Sequence, residues 1–138
     1  KPNLHTVEVS VLGPDGAVLA VARNTVLAAD ATCHAEVNAI RLASAALGNF
    51  DLSGCDIYST TEPCPMCFGA VHWARIGRIF FGTTIEDAAA AGFNELFIPN
   101  ARMAELGGSR VELVAGFLRE ECLALFAQWR SLPGSRTY

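Results

Sequence analysis

The stretch CDIYSTTEPCPMCFGAVHWAR, Cys55 to Arg75, decides how this chain is read. Cys55 to Thr60 carries the β-branched and aromatic bias of a short strand, and Thr61-Glu62-Pro63 breaks it as a loop. Pro65 to Arg75 then reads as a helix, with Pro65 at the first helical position, where a missing N–H costs nothing. Cys64 and Cys67 straddle the start of that helix. Cysteines three apart lie on one face, within reach of one tetrahedral ion. The positive helix end also favours the thiolate form that zinc requires. A CxxC pair alone also fits a redox couple or two core cysteines.

Working outward, Val7, Val9 and Val11 alternate with polar residues before the turn Gly13-Pro14-Asp15-Gly16, and Ala17 to Ala22 runs apolar, which predicts a hairpin. Asn24 to Thr32 is a loop. From His34 to about Leu47 the period becomes helical, with Val37, Ile40, Ala43 and Leu47 on one face and Gly48 as the stop. Arg78 to Gly82 reads as a strand, Ile85 to Ala91 as a short helix, Gly92 to Gly108 as irregular, Val111 to Val114 as a strand, and Leu118 to about Leu132 as a closing helix. The tail Pro133 to Tyr138 has no packing pattern. A hairpin followed by alternating strands and helices predicts an α/β domain over residues 1–138, a mixed five-stranded sheet with helices on both faces.

The 138 residues suit one domain, and 51% hydrophobic against 17% charged is a globular composition. No apolar run reaches bilayer length, and no charged-then-apolar leader is present, so a cytoplasmic protein with no membrane contact is expected. The net charge is −4, and the one lysine is Lys1. A phosphate-gripping surface needs a basic excess, so a small-molecule partner is expected and a nucleic acid is not. Five cysteines without a leader do not suggest a disulfide framework. Cys55, Cys122 and His72 read as core, although His72 could line a pocket.

His34 changes the weight of the cysteine pair. It stands at the start of one helix and the cysteines at the start of another, each after a strand or loop, which places three zinc ligands at two helix tips. Three protein ligands leave a fourth position open, the mark of a catalytic zinc. Glu36, two residues beyond His34, is close enough to move a proton between a zinc-activated water and a substrate nitrogen. It would also suit the first turn of its helix as a plain acid.

His34-Ala35-Glu36 followed by Pro63-Cys64-Pro65-Met66-Cys67 resembles the H-x-E…P-C-x-x-C signature of zinc nucleobase and nucleoside deaminases, the cytidine-deaminase superfamily. That resemblance implies a three-layer α-β-α sandwich, one Zn2+ per chain held by His34, Cys64 and Cys67, and Glu36 as proton shuttle. Within the superfamily, HAEVNAIR from His34, DAAAAGFNELFI from Asp87 and the ending FAQWR from Phe126 with a terminal Tyr are most similar to bacterial guanine deaminases.

This finer resemblance implies deamination of a purine base, guanine to xanthine and ammonia. Asn24 would bond the base. Glu95 would read the guanine edge and assist the leaving amine. Trp73 would be a pocket-side aromatic, and Tyr138 would close the pocket of a partner subunit in a homodimer. The chain departs from the family at its beginning. The helix that usually precedes the first strand is apparently absent, and His5-Thr6-Val7-Glu8 stands where the family carries Pro-Phe-Gly-Ala. Guanosine, cytosine, another aminated heterocycle and adenosine in tRNA therefore stay open as substrates, as does a module in which zinc serves only the fold.

Overall fold

A computed structural model describes residues 8–138. Five strands form one sheet in the order β2-β1-β3-β4-β5: β1 Glu8–Leu12, β2 Val18–Arg23, β3 Asp56–Thr61, β4 Arg78–Thr83 and β5 Glu112–Ala115. β1 runs antiparallel to β2 and β3, whereas β3, β4 and β5 are mutually parallel. The predicted mixed sheet is present. The altered first-strand segment at residues 5–7 lies outside the described residues, as does Val7 of the expected hairpin.

Side-chain alternation splits the sheet into two faces. Val9, Val11, Ile57 and Ile79 are fully buried on the face that meets α1 (Ala35–Leu47) and α2 (Pro65–Ala74). On the other face Tyr58 stacks on Phe80 at 4.3 Å, and Phe117 meets both edge-on at 5.6 Å. α5 (Arg119–Ser131) packs there against β4. Its approach needs Gly82: a Cβ at that position would lie 2.7 Å from the Phe117 carbonyl and closer still to Cys122 Sγ. Between β4 and β5 run α3 (Ile85–Ala90), closed by a Thr84–Asp87 capping box, and α4 (Asn100–Gly107).

Three expectations need correction. First, Gly92 to Gly108 is not irregular throughout, because α4 occupies its second half. Its only fully buried residue is the polar Asn100, with Met103 and Ala104 partly buried against the core on the same face. Second, the buried stripe of α1 is Ala35, Ala39 and Ala43, not a stripe ending in Leu47, which is exposed. Small side chains let α1 sit close to the sheet. Third, His72 is not core. It faces outward on α2 beside Trp73, with ring centroids 5.7 Å apart.

Candidate metal centre and active site

α1 and α2 start at the same end of the sheet, and their first residues converge. His34 is the N-cap of α1 and Cys64 the N-cap of α2, both with extended backbone, so their side chains project beyond the helix ends. Cys67 lies one turn into α2 and is buried. His34 Nδ1 is 3.7 Å from Cys64 Sγ, and the three donor atoms all lie within 4.8 Å of one another.

Bond lengths of about 2.3 Å to sulfur and 2.0–2.1 Å to nitrogen imply tetrahedral edges of roughly 3.6–3.8 Å. The donor set fits zinc. Among the described residues it is the one His/Cys/Asp/Glu group with such geometry.

Protonation supports the fit. Cys67 Sγ donates to Glu36 Oε2 at 3.2 Å. The neighbouring Cys67, foremost, holds the Cys64 thiol down at about 4 against the opposing effect of burial, with His34 contributing. Cys64, with burial, pushes Cys67 above the ordinary thiol range. The bond to Cys64 raises His34. Zinc takes both sulfurs as thiolates, so its binding would release the Cys67 proton.

Glu36 is only 8% exposed, and its carboxylate is fixed on both sides. Ser59 Oγ donates to Oε1 at 3.0 Å, opposite the Cys67 contact at Oε2. A carboxylate buried against a metal-ligating set, with its orientation held from the sheet, suits proton transfer to an atom in front of the metal.

The cavity in front is about 520 Å³ in volume. His34, Glu36 and Cys64 form its floor, and Asn24, Phe93 and Glu95 line it with the C-terminal tail. Burial, followed by the negative field of Cys64, raises the Glu95 carboxyl. Asn24 Oδ1 accepts from Val26 N at 3.0 Å, so its turn role is present as well, and its Nδ2 donates to the Tyr138 hydroxyl.

Tyr138 crosses the mouth of its own chain's cavity, 6.3 Å from the His34 ring and 5.2 Å from Phe93. Its carbonyl accepts from Asn94 N at 3.0 Å. Within this chain it closes the cavity that it belongs to, where a partner's cavity was expected. Trp73 is not brought to the cavity at all: it is 77% exposed on the outer face of α2.

Several residues with a place in the site carry no distinct signal in the sequence. Ser59 is an ordinary strand residue until β3 places it under Glu36. Phe126 and Trp129, by contrast, lie in the FAQWR segment that carried the resemblance, and they wall the cavity from α5, with Trp129 5.2 Å from Phe93. Glu62, inside the cysteine motif, is 7% exposed and accepts from two helix starts, Ile85 N at 3.1 Å and Asn100 N at 2.7 Å. The adjacency of Glu62 to Pro63-Cys64 was its only visible cue.

A His/Cys/Cys donor set beside a buried carboxylate, at helix starts on a mixed sheet, defines a zinc hydrolase. The chain belongs to the cytidine and deoxycytidylate deaminase family, matching its zinc-binding region over residues 3–83. It is 38% identical over 133 residues to the guanine deaminase of Bacillus subtilis, covering 94% of this chain and 83% of that protein. Its fold is similar to that of the guanine deaminase from Nitrosomonas europaea, with a TM-score of 0.81 at 28% identity, over 91% of this chain and 73% of that one. It is also 43% identical over 114 residues to a tRNA(Ile)-lysidine synthase of Deinococcus radiodurans; the match takes in 80% of this chain and 20% of the synthase. Among the described residues, no helix is long and apolar enough to cross a membrane.

Proposed function

We propose that this chain deaminates guanine hydrolytically, giving xanthine and ammonia. The observation that carries the reading is the Glu36 carboxylate, buried and held by Ser59 beside the His34, Cys64 and Cys67 donor set, at the floor of a cavity walled by Asn24, Phe93 and Glu95. Zinc, when bound, would supply Lewis-acid activation of water at the open ligand position.

The chain's own residues do the rest. Glu36 takes a proton from the attacking water and passes it to the ring nitrogen next to the carbon bearing the amino group. The oxygen adds to that carbon. Glu36 then carries the second water proton to the amine, with Glu95 assisting, and ammonia leaves as the carbonyl of xanthine forms. Asn24 bonds the base, and Phe93 offers an aromatic face within the same wall. The Tyr138 ring excludes water from the mouth.

The test is ammonia release from guanine, guanosine, adenine, adenosine, cytosine and cytidine, for wild type and Glu36→Gln. Fastest turnover of guanine, lost in Glu36→Gln with zinc retained, supports the reading. Bound zinc without turnover of any of the six would instead make the metal structural.

Similarity to the tRNA-specific adenosine deaminase of Agrobacterium fabrum, 47% identical over 74 residues, favours a second reading, deamination of adenosine within tRNA. A net charge of −4 opposes it, and salt-sensitive tRNA binding with inosine formation would establish it. The outer face of α2 carries Met66 and Trp73 exposed, and the nearby loop carries Leu96, Phe97 and Ile98 exposed. Such apolar surface fits coverage by a second copy, and we read the working form as a homodimer. All five cysteines are free, which suits the reducing cytoplasm.

A further inference from the structure

We propose that Glu62 and Asn100 form a positioning clamp that sets the substrate-facing loop at Phe93–Glu95 against the cysteine loop; this rests on the deaminase reading above. Glu62 and Pro63 are the two residues before Cys64, and both are gripped from the segment that runs from Ile85 to Asn100. One Glu62 oxygen accepts from Ile85 N at the first turn of α3 (3.1 Å), and the other accepts from Asn100 N at the first turn of α4 (2.7 Å). In return, Asn100 Nδ2 donates to the Pro63 carbonyl at 2.6 Å. Glu62 N is itself anchored to the Thr83 carbonyl at 2.8 Å. Both ends of the segment that carries Phe93 and Glu95 are therefore tied to the backbone that presents Cys64.

A purely packing role fits this pair poorly. Asn100 is fully buried, yet its Oδ1 has no partner among the described residues, and an orphaned polar atom in the interior costs stability. Glu62 is a carboxylate carried into the interior with no cation among the described residues as partner, held by two N–H groups at positive helix ends. An apolar pair of similar volume would pack the same space with less desolvation. What an apolar pair lacks is direction: three hydrogen bonds orient the loop relative to the His/Cys/Cys donor set, and misplacement by about 1 Å costs on the order of a hundredfold in rate.

The experiment compares wild type, Glu62→Gln, Asn100→Ala and Ile79→Val, the last a core deletion remote from the cavity that serves as the control for lost stability. Each zinc-loaded protein is assayed well below its melting temperature for guanine turnover, and amide hydrogen exchange is read at residues 85 and 100. In Glu62→Gln one acceptor becomes an NH2 donor facing an N–H donor.

The expected result is a fall in kcat of about 10- to 100-fold with a raised KM at one zinc per chain. One of the two amides should exchange at least ~10-fold faster, while Ile79→Val keeps the wild-type kcat and KM. Asn100→Ala should show the same kinetic loss, so the clamp remains testable if Glu62→Gln does not fold. Wild-type kcat and KM in the folded, zinc-loaded variants would overturn the clamp, as would loss of zinc from both, which would make the pair a support for Cys64 alone. If wild type releases no ammonia from guanine, the deaminase reading fails instead. The exchange rates, which need no turnover, then decide the clamp: unchanged protection at both amides overturns it.

Discussion

The hydroxyl of the terminal residue, Tyr138, is the hydrogen-bond partner of the Asn24 side-chain amide, 114 positions away. The group expected to bind the base is thus already engaged by the tail that covers the cavity. A base bound by Asn24 would compete with that hydroxyl for the amide.

Removing the hydroxyl alone should therefore help binding. Tyr138→Phe keeps the ring over His34 and Phe93 but frees the amide, and a neutral hydrogen bond is worth about 0.5–1.5 kcal/mol. The KM for guanine should fall by roughly 2- to 10-fold. Deleting Tyr138 removes the ring as well and should raise KM. Steady-state kinetics on the two variants separates the effects.

Glu36→Gln should lower kcat by about 10²- to 10⁴-fold, the usual range for a lost acid–base group. Zinc content should stay at one per chain, because the donor set of His34, Cys64 and Cys67 is untouched. Elemental analysis beside an ammonia assay checks both halves.

The proposed role of Glu95 calls for its ionised form, and burial, with Cys64 adding to it, raises its carboxyl above the ordinary value. Activity on guanine should accordingly be lost as pH falls through that raised value, earlier than an exposed glutamate would dictate. Glu95→Gln should cost about 1.5–3 kcal/mol in kcat/KM, the worth of a hydrogen bond to a charged group. It should also remove that acid limb from the pH–rate profile.

Asp87 titrates in the opposite sense. The hydrogen bonds from Arg119, at 2.6 and 3.1 Å, hold its carboxyl at about 2. A folded value below the unfolded one contributes stability that is fully present above about pH 4 and lost as pH falls toward 2. The pair is partly exposed, so screening leaves on the order of 1 kcal/mol. Arg119→Ala should lower the melting temperature at pH 7 by a few degrees and flatten its decline below pH 4.

Chelation should lower the melting temperature, and added zinc should restore it, since a ligand bound only by the folded state contributes about 2.7 kcal/mol when free metal stands at ~100 times Kd. Cys67→Ala should abolish the recovery. Calorimetry with and without chelator reads both.

Much of the architecture was legible because it rests on local patterns. Alternation in Glu8–Leu12, the proline at the start of α2 and the glycine after α1 are short-range signals, and the elements follow them within a residue or two. The candidate metal donors were legible for a related reason: His34, Cys64 and Cys67 are chemically unusual at helix starts. α4 was not read as a helix, because it is only two turns long and its one fully buried residue is an asparagine whose partner, the Pro63 carbonyl, lies far along the chain. Trp73 misled in the other direction, since an aromatic in a pocket-like motif says nothing about which face of α2 it takes.

The amino-acid order alone therefore determined the strands and helices of the sheet, the two helix starts that carry candidate zinc donors, and the carboxylate two residues after one of them, because each depends on spacing within a few residues. Only the tertiary structure decided that Ser59 lies under Glu36, that Glu62 joins two helix starts, and that the tail folds back so that Tyr138 meets Asn24. Those contacts join residues brought together by the sheet order and by chain reversal. Hydrogen bonds at such separations leave no period in the sequence.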